Sequence, residues 1–388
     1  MFRVLIMFIA MASSALGAVP PPMTFPPLKD GRVVLPFDPH THTVFSDAQV
    51  WPQSRVDEAL REGVSALAIT DHLEYQPRRK DIPHSDRNRP FEIAHAHADG
   101  RMIVINGFEL TRGMPPGHFN FLFLDDVNAY RVEAYDQFAN SAALYEASRG
   151  EFDTVWASLE KARDEGAFVV WNHPGAPSLK DRIPVVLPFH EAIFEAGLVH
   201  GIEVAMREKF VREAIEIAFK YDLTIMASSD THRPTAWENS QFGLRHRTVT
   251  LVLAEDETPE ALKKGLQSKA TVAFYDGLFI GRAPEMRSLM ETLIEASLVP
   301  PDMRNRTDRR LPHTAKLRIA NRAPVPLLFE APAGLSFVDA GPVFSIPAGE
   351  AKTLRLKGKQ FTEGGTISLR VLNALIGPAE SLTVDVAF

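Results

Sequence analysis

Short apolar runs alternate with amphipathic stretches over most of the chain, and this alternation predicts strands followed by helices. Glycines after several amphipathic stretches mark helix ends, because a residue there often needs a positive φ. The predicted strands are 33–37, 66–70, 102–108, 119–124, 167–171, 201–205 and 224–228, and the predicted helices are 52–62, 89–98, 153–166 and 207–221. The pattern indicates an α/β fold.

The C-terminal part has a different pattern of apolar and polar residues. Strands at 248–253 and 271–275 flank a helix that begins near Pro259, and a last helix is predicted at 283–297. From residue 311 onward, short β-branched runs are separated by Pro, Gly and Asn; they lie at 315–320, 326–330, 353–356, 366–371 and 382–386. We therefore predict a β/α domain at 28–299, a linker at 300–310 and a small all-β, sandwich-like domain at 311–388.

The N-terminus carries one strongly apolar run, from Val4 to Ala12, after Arg3 and before a stretch of small residues. This predicts a cleaved signal peptide at 1–17, since the run is too short to cross a bilayer. A buried N-terminal helix is the alternative. With no other long apolar segment, we expect an exported, periplasmic protein without a membrane anchor.

Composition narrows the chemistry further. The chain has no cysteine, which excludes disulfides and thiolate chemistry, so any metal must be held by nitrogen and oxygen ligands. The formal net charge of −7 argues against general nucleic-acid binding, which normally needs a basic face. A small phosphorylated substrate remains compatible, because bound cations can invert the local field.

Histidines and acids recur where the predicted strands end. They are His40, His42 and Asp47 after the first strand, Asp71 and His72 after the second, Glu109 at the end of the third, His118 at the start of the fourth, His173 after the fifth, and Asp230 and His232 after the seventh. In β/α barrels such positions converge on one mouth.

Each of these motifs alone has an ordinary structural explanation. A His-X-His pair is often a surface or core feature, an Asp-His doublet can be a hydrogen-bonded pair, and Asn-His-Pro can be a turn. Folding alone does not explain the motifs taken together, because so many ionisable groups at one end would cost several kcal/mol each if buried unpaired. We therefore predict a metal site built from imidazoles and carboxylates.

The order of these motifs resembles the PHP (polymerase and histidinol phosphatase) superfamily over roughly residues 33–300. The resemblance implies a distorted seven-stranded, TIM-like β/α barrel and metal-dependent phosphoester hydrolysis. Within the superfamily the chain is most similar to the exported Sb-PDE family phosphodiesterases, which also add a small C-terminal β domain. This closer similarity is carried by the stretch from Glu74-Tyr75-Gln76-Pro77 to Asp86-Arg87-Asn88-Arg89 and by the ending Phe279-Ile280-Gly281-Arg282.

The resemblance also implies a trinuclear site with two to three divalent ions, for which Mn²⁺, Zn²⁺ and Fe²⁺ are all compatible with the ligands. Glu109 would bridge two of the metals. The implied sets are His40, His42, Glu109 and Asp230 for the first metal, Glu109, His118 and His173 for the second, and Asp47, His72 and His232 for the third. Asp38, Asp71 and Asn172 are expected to orient imidazoles by hydrogen bonds, with the ligand role also open for Asp71.

The function expected from such a site is hydrolysis of phosphodiesters by a metal-bridging hydroxide, with Glu109, Asp230 and His232 as the catalytic residues. A phosphomonoesterase acting on nucleotides or sugar phosphates is the alternative, since the same site serves both. A non-catalytic envelope-binding protein is a third, from another class.

Substrate contacts are expected from basic residues near the mouth. They are Arg78, Arg79 and His84 in the loop after His72, Arg207 after the sixth strand and Arg233 beside His232. A solvated surface loop is the alternative for Arg78, Arg79 and Lys80. The aromatic residues of the insertion at 125–150 could form a lid over an apolar substrate group or pack a helix onto the barrel.

Overall fold

The computed structural model describes residues 21–131, 141–175, 183–300, 302–311, 313–358, 361 and 365–388. The strands are β1 Val33–Asp38, β2 Ala66–Ile69, β3 Ile103–Leu110, β4 Phe119–Leu122, β5 Phe168–Trp171, β6 Gly201–Met206, β7 Lys209–Phe210, β8 Thr224–Ser228, β9 Val249–Ala254, β10 Thr271–Tyr275, β11 Leu278–Gly281, β12 Ile294–Val299, β13 Thr314–Asn321, β14 Leu327–Glu330, β15 Val343–Ile346, β16 Ala351–Lys357, β17 Thr366–Leu375 and β18 Ser381–Ala387. The α-helices are α1 Pro52–Glu62, α2 Arg89–Ala98, α3 Ser141–Ala147, α4 Phe152–Asp164, α5 Pro188–Glu195, α6 Arg212–Lys220, α7 Thr235–Phe242, α8 Pro259–Gln267, α9 Ala283–Leu293 and α10 Arg306–Arg310.

Local sequence accounts for several helix boundaries. Pro52 occupies the first turn of α1, where its missing N–H is not needed. Gly63 ends this helix with φ 77°, and a Cβ there would lie 2.4 Å from the Met23 carbonyl oxygen. Thr258 caps α8 by accepting a hydrogen bond from the Ala261 N–H, with Pro259 in the first turn. In these helices the apolar residues pack on the sheet and the polar residues lie on the opposite face.

The β/α part is a mixed sheet in which β1, β2 and β3 are parallel, as are β5, β6 and β8. β4 runs antiparallel between β3 and β5. A residue at the start of β4 therefore lies at the same edge of the sheet as residues at the ends of its neighbours. This direction places His118, which precedes β4, beside Glu109 near the end of β3.

β8 and β1, the two sides of this parallel core, approach each other at the edge that carries the acids and histidines. Thr231 and Thr41 form an isolated parallel bridge, and the Asp230 N–H donates to the His40 carbonyl at 2.9 Å. Further along, the Thr250 hydroxyl in β9 donates to the Ala227 carbonyl in β8 at 2.8 Å. Among the described residues these contacts do not form a continuous ladder, so the closed seven-stranded barrel stays a prediction.

The C-terminal β region is joined to this sheet by backbone pairing. β17 runs parallel to β11, with Phe279 opposite Ala374 and Ile280 opposite Leu375, and β14, β15 and β18 continue the ladder beyond it. A second sheet consists of β12, β13 and β16. One apolar cluster contains core residues from both sides, such as Leu289 of α9 and Leu369 of β17. The two parts therefore share a core, while the predicted division at 28–299 and 311–388 stays a prediction.

Two predicted helices were wrong in extent. The helix predicted at 207–221 begins only at Arg212, because β6 turns back at Arg207 into the short strand β7. The helix predicted at 283–297 ends at Leu293, and the next six residues form β12, whose backbone pairs with β13. The predicted linker at 300–310 contains α10, and β11 and β15 were not predicted.

The predicted signal peptide at 1–17 lies outside the described residues. Within the described part of the chain, no helix has the length and apolar character that a membrane crossing requires.

Candidate metal centre

The extension of β1 brings two imidazoles to the centre of the site. His40 and His42 are two residues apart in extended backbone, so their side chains lie on the same face. Between them, Thr41 points the other way: its N–H donates to Thr70 Oγ1 at 3.0 Å and its hydroxyl donates to the Ala68 carbonyl at 2.6 Å. Both histidines are fully buried, and their Nε2 atoms are 3.1 Å apart.

Glu109 lies in the middle of the histidines, with its two oxygens facing different partners. Oε1 is 2.9 Å from His118 Nδ1, 3.2 Å from His173 Nε2 and 3.6 Å from His40 Nε2. Oε2 is 2.8 Å from His72 Nδ1 and 3.5 Å from His42 Nε2. A carboxylate in this position can bridge two cations.

Asp230 and Asp47 supply the other carboxylates. Asp230 Oδ1 is 3.4 Å from His40 Nε2 and 3.2 Å from His42 Nε2. Asp47 Oδ1 is 3.1 Å from His232 Nε2, and 3.6 Å from the Nε2 of a second imidazole, His72. Each of the three carboxylates thus contacts at least two imidazoles.

Strained backbone accompanies these ligand positions. His173 has φ 24° and Asp230 has φ 46°, both in the left-handed region that non-glycine residues rarely adopt. Such conformations persist where the surrounding structure holds them, and they concentrate at functional sites. The Asp230 N–H, bonded to the His40 carbonyl, is one of the contacts that fix this turn.

The nine predicted ligands fall into four overlapping groups, each with donor atoms within 4.8 Å of one another. The groups are His40, His42 and Glu109; His40, His173 and Asp230; Glu109, His118 and His173; and His42, Asp47, His72 and His232. The structure brings all nine together, and the assignment of each to a particular metal stays a prediction. In the described part of the chain, the buried His118 Nε2 and His173 Nδ1 have no hydrogen-bond partner. The donor set and these nitrogens fit divalent cations that accept imidazole and carboxylate ligands.

Mutual electrostatics hold the site in mixed protonation states. Burial alone would raise the pKa of Glu109, but His72, His118 and His40 lower it well below its usual range. Burial would lower the pKa of His72, but the carboxylates of Glu109 and Asp47 raise it to about 9. Burial, reinforced by His232 and His72, lowers the pKa of His42 to about 3. The carboxylates are therefore ionised and ready to bind cations.

The residues predicted to orient imidazoles act differently from the prediction. Asp71 accepts bonds from the Thr43 N–H, the Thr43 hydroxyl and the Ser46 hydroxyl, and it reaches His42 Nδ1 only through Ser46. Asp38 accepts from the Ser229 N–H and hydroxyl and from Arg247. Both thus fix loop backbone, because their oxygens are already occupied by local donors.

Asn172, the third residue in this prediction, also contacts no imidazole. Its amide nitrogen donates to Glu109 Oε1 at 3.1 Å, while its oxygen accepts from the Asn120 N–H at 3.1 Å. It orients the Glu109 carboxylate instead.

Sequence reasoning missed Glu203, a residue that orients His40 directly. Its Oε1 is 2.9 Å from His40 Nδ1 and accepts from the Ser228 hydroxyl at 2.5 Å. Its Oε2 accepts from the His173 N–H at 2.6 Å. Since the carboxylate accepts the Nδ1 proton, His40 Nε2 is left to face Glu109 and Asp230, which is the usual arrangement behind a metal-binding imidazole.

The predicted substrate-binding residues have diverse positions. Arg207, with φ 52°, donates to the carboxylate of Asp230 at 2.7 Å and to the Asp230 carbonyl. Arg78 donates to the carbonyl of Ser46, next to Asp47, at 3.3 Å. Arg79 is exposed, and Arg233 is exposed with a bond to Gln241 at 3.3 Å. Arg207 therefore holds Asp230, and Arg78 contacts the loop that carries Asp47.

His84, the remaining predicted contact, has its ring 5.8 Å from that of Phe45 in an edge-on arrangement. Its Nδ1 accepts from the Asp86 N–H at 3.2 Å, which fixes a local turn. The structure places it beside the loop that carries Asp47 rather than among the nine ligands.

In the insertion at 125–150 the packing alternative is confirmed for one tyrosine, while the lid stays a prediction. Tyr130 packs on Phe108 and Phe121, as the packing alternative predicts. Tyr145 of α3 instead lies beside the site, with its ring 5.3 Å from that of His118. Tyr135 and Phe138 lie outside the described residues.

Comparisons with known proteins agree with this arrangement. A crystal structure from Bacteroides vulgatus, described as a two-domain protein containing a predicted PHP-like metal-dependent phosphoesterase, is 30% identical to this chain with a TM-score of 0.78. The match covers 95% of this chain and 98% of that one. The family model described as an Ig-like domain, DUF5001, matches residues 303–387. Fold, site and similarity together show that the chain belongs to the PHP superfamily, with an Ig-like β domain at its C-terminal end.

Other matches are more distant. A protein from Bifidobacterium adolescentis, provisionally described as a metal-dependent phosphoesterase, is 18% identical with a TM-score of 0.37 over 50% of this chain and 87% of its own. An amidohydrolase from Chromobacterium violaceum, with bound sulfate and no metal, is 18% identical with a TM-score of 0.35 over 52% of this chain and 88% of its own. Likeness at this level supports no conclusion about function. Among curated proteins, none matches the sequence.

Proposed function

We propose that this protein is a metal-dependent phosphoesterase that hydrolyses phosphodiesters of small molecules. The observation that carries the proposal is Glu109, a buried carboxylate whose two oxygens face two different sets of imidazoles. Hydrolysis at phosphorus needs an activated water and neutralised phosphoryl oxygens, and a carboxylate-bridged cation cluster supplies both.

The described residues have distinct tasks in this function. Divalent ions, when bound, would act as Lewis acids and generate a hydroxide near neutral pH. Glu109, Asp230 and Asp47 would hold them, with the six predicted imidazole ligands completing the set. Arg207 keeps the Asp230 carboxylate aimed at His40 and His42, since it occupies the other oxygen. We propose two to three ions, with Mn²⁺, Zn²⁺ and Fe²⁺ as candidates.

The direct test is hydrolysis of bis(p-nitrophenyl) phosphate by purified protein supplied with Mn²⁺, Zn²⁺ or Fe²⁺. We expect release of p-nitrophenol that disappears after chelator treatment and returns when the metal is restored. Release equal to that of the chelated protein with every metal would contradict the proposal and favour a non-catalytic binding protein.

The choice between diester and monoester depends on how the mouth of the site meets the second ester group. We propose the diester, because the 74–89 and 279–282 segments are similar to those of Sb-PDE family phosphodiesterases. The ratio of kcat/KM for bis(p-nitrophenyl) phosphate to that for p-nitrophenyl phosphate measures the preference for diester over monoester. A ratio below one would favour the phosphomonoesterase.

Glu109→Gln provides the sharpest test of the metal arrangement. Gln removes the ligand charge shared by two groups of donors, so we expect metal content to fall by more than one ion per chain and kcat to fall by several orders of magnitude. His232→Ala removes a donor that occurs in one group, and we expect partial metal loss. Full metal retention in Glu109→Gln, measured by mass spectrometry of the metals, would contradict a bridging role.

We also propose that the protein is exported to the periplasm after cleavage within 1–17. N-terminal sequencing of protein recovered from the periplasmic fraction of the native cell type tests this. A retained Met1 would contradict it.

A further inference from the structure

Two tyrosines lie beside imidazoles from different metal-binding groups. The ring of Tyr75 is 6.0 Å from that of His72, and the ring of Tyr145 is 5.3 Å from that of His118. His72 and His118 are themselves 6.4 Å apart, ring to ring, and Glu109 contacts both. The two aromatic side chains therefore flank the pair of imidazoles that the bridging carboxylate joins.

One residue lies next to both phenols. The backbone of Ser141 is beside the Tyr75 hydroxyl, and its side chain is beside the Tyr145 hydroxyl. Ser141 begins α3, and Tyr145 lies one turn further along the same helix.

The close approach of α3 to the site depends on a glycine. A Cβ at Gly113 would lie 1.9 Å from the Tyr145 carbonyl oxygen, so a side chain at this position could not coexist with the observed helix. Gly113 follows Thr111, whose hydroxyl is 2.7 Å from His72 Nδ1. Within three residues, the loop after β3 thus carries Thr111, which contacts His72, and Gly113, against which α3 packs.

The charge around Tyr145 suits a neutral hydrogen-bond donor. Burial, reinforced by the carboxylates of Glu109, Asp47 and Asp230, raises the pKa of Tyr145. The hydroxyl therefore keeps its proton at neutral pH while lying within the field of all three carboxylates of the site. Burial and Asp47 also raise the pKa of Tyr75.

We propose that Tyr145 and Tyr75 bind the phosphoryl group of the substrate, each donating a hydrogen bond from its phenol to a non-bridging phosphoryl oxygen. This inference rests on the proposed phosphoesterase function and names the chain's own donors for it. The two rings lie beside His72 and His118, the imidazoles that Glu109 contacts through its two oxygens. Donors fixed before the substrate arrives stabilise the charge of the transition state without reorganisation.

Tyr145→Phe and Tyr75→Phe test the proposal, because each keeps the ring and removes the donor. We expect kcat/KM for bis(p-nitrophenyl) phosphate to fall roughly 10- to 100-fold in Tyr145→Phe, the range for one hydrogen bond to a charged group. Metal content and melting temperature should stay at wild-type values. Tyr221→Phe is the matched control, since its hydroxyl bonds Glu191 at 2.7 Å on another face, and it should leave kcat/KM unchanged.

A second readout does not depend on turnover. Inorganic phosphate binding to Mn²⁺-loaded protein, measured by calorimetry, should weaken roughly tenfold in Tyr145→Phe, with Ser141→Ala as a milder variant if the first does not fold. Wild-type protein that binds phosphate but cleaves no ester would contradict the proposed function alone, and weaker binding in Tyr145→Phe would still support the contact. Values within twofold of wild type for both tyrosine variants in binding and in turnover would overturn the inference.

Discussion

At the scale of single residues, the buried carboxylates and imidazoles of the site neutralise one another's charges before any cation binds. Glu109 and Asp230 are ionised, His40 and His72 have raised pKa values, and His42 stays neutral because its pKa falls to about 3. A buried set of this kind would be costly if any member were unpaired. In the metal-free protein, protonated imidazoles therefore neutralise the carboxylates in place of cations.

Metal binding should for this reason release protons. His72, with its pKa raised to about 9, is protonated at pH 7.5 in the metal-free protein, and a cation needs the neutral nitrogen. We expect the release of at least one proton on Mn²⁺ binding at pH 7.5, and an affinity that rises with pH until about 9. Calorimetry in two buffers of different ionisation enthalpy measures the number. A release near zero, or an affinity that falls between pH 7 and 9, would contradict this account.

Glu203→Gln should weaken metal binding without unfolding the protein. The amide cannot accept from His40 Nδ1, Ser228 and the His173 N–H in the way that the carboxylate does, so the imidazole loses its fixed tautomer. Outer partners of this kind typically contribute roughly 10- to 100-fold in metal affinity. Glu216→Gln, exposed on α6, is the control and should change nothing. A lower melting temperature with unchanged metal affinity would mean that Glu203 is purely structural.

The residues of the site differ in how far sequence could identify them. His40, His42 and Asp230 lie in short motifs directly after apolar strands, so topology alone places them together. Glu203 lies inside the apolar strand β6, and its partners are 30 and 163 residues away, so no local pattern marks it. The contact of Arg207 with Asp230 could not be seen in the sequence, because it depends on a turn with φ 52°, and the predicted substrate contact of Arg207 stays a prediction.

At the scale of elements, the strands that form the sheet follow from apolar runs, and the exceptions have physical reasons. The strand predicted at 224–228 matches β8, since the run is short, buried and bounded by polar residues. β7 and β12 escaped prediction because each is defined by its pairing partner: β7 by the turn at Arg207 and β12 by β13. The direction of β4, which brings His118 to the site, also depends on pairing with β3 and β5.

Gly113→Ala should displace an element rather than a ligand. The added methyl would meet the Tyr145 carbonyl at 1.9 Å, so α3 must move away from the site. We expect kcat/KM to fall at least tenfold while metal content stays constant, since the nine ligands lie on other elements. Gly341→Ala is the control, because its nearest neighbour, the Val343 oxygen, would be 3.8 Å away. Unchanged turnover in Gly113→Ala would show that α3 can shift without consequence.

At the scale of the whole molecule, the Ig-like region shares a sheet and an apolar cluster with the metal-binding region. The parallel pairing of β11 with β17 continues one sheet from one region into the other, and the Asn373 side chain donates to the Gly277 carbonyl at 2.8 Å. The shared apolar cluster includes Phe279 beside β17 residues such as Val371. A chain without the C-terminal region would expose the β11 edge and this apolar surface, which favours aggregation.

The full-length protein should therefore unfold in one cooperative transition, with equal calorimetric and van't Hoff enthalpies. Ala374→Glu places a charge at a fully buried position opposite Phe279, and should lower the melting temperature of the whole molecule and its metal-binding signal together. Thr366→Glu, at the exposed start of the same strand, should leave both unchanged. Two separate heat-absorption peaks, with Ala374→Glu shifting only one of them, would mean that the two regions fold independently and that the pairing of β11 with β17 adds little to their stability.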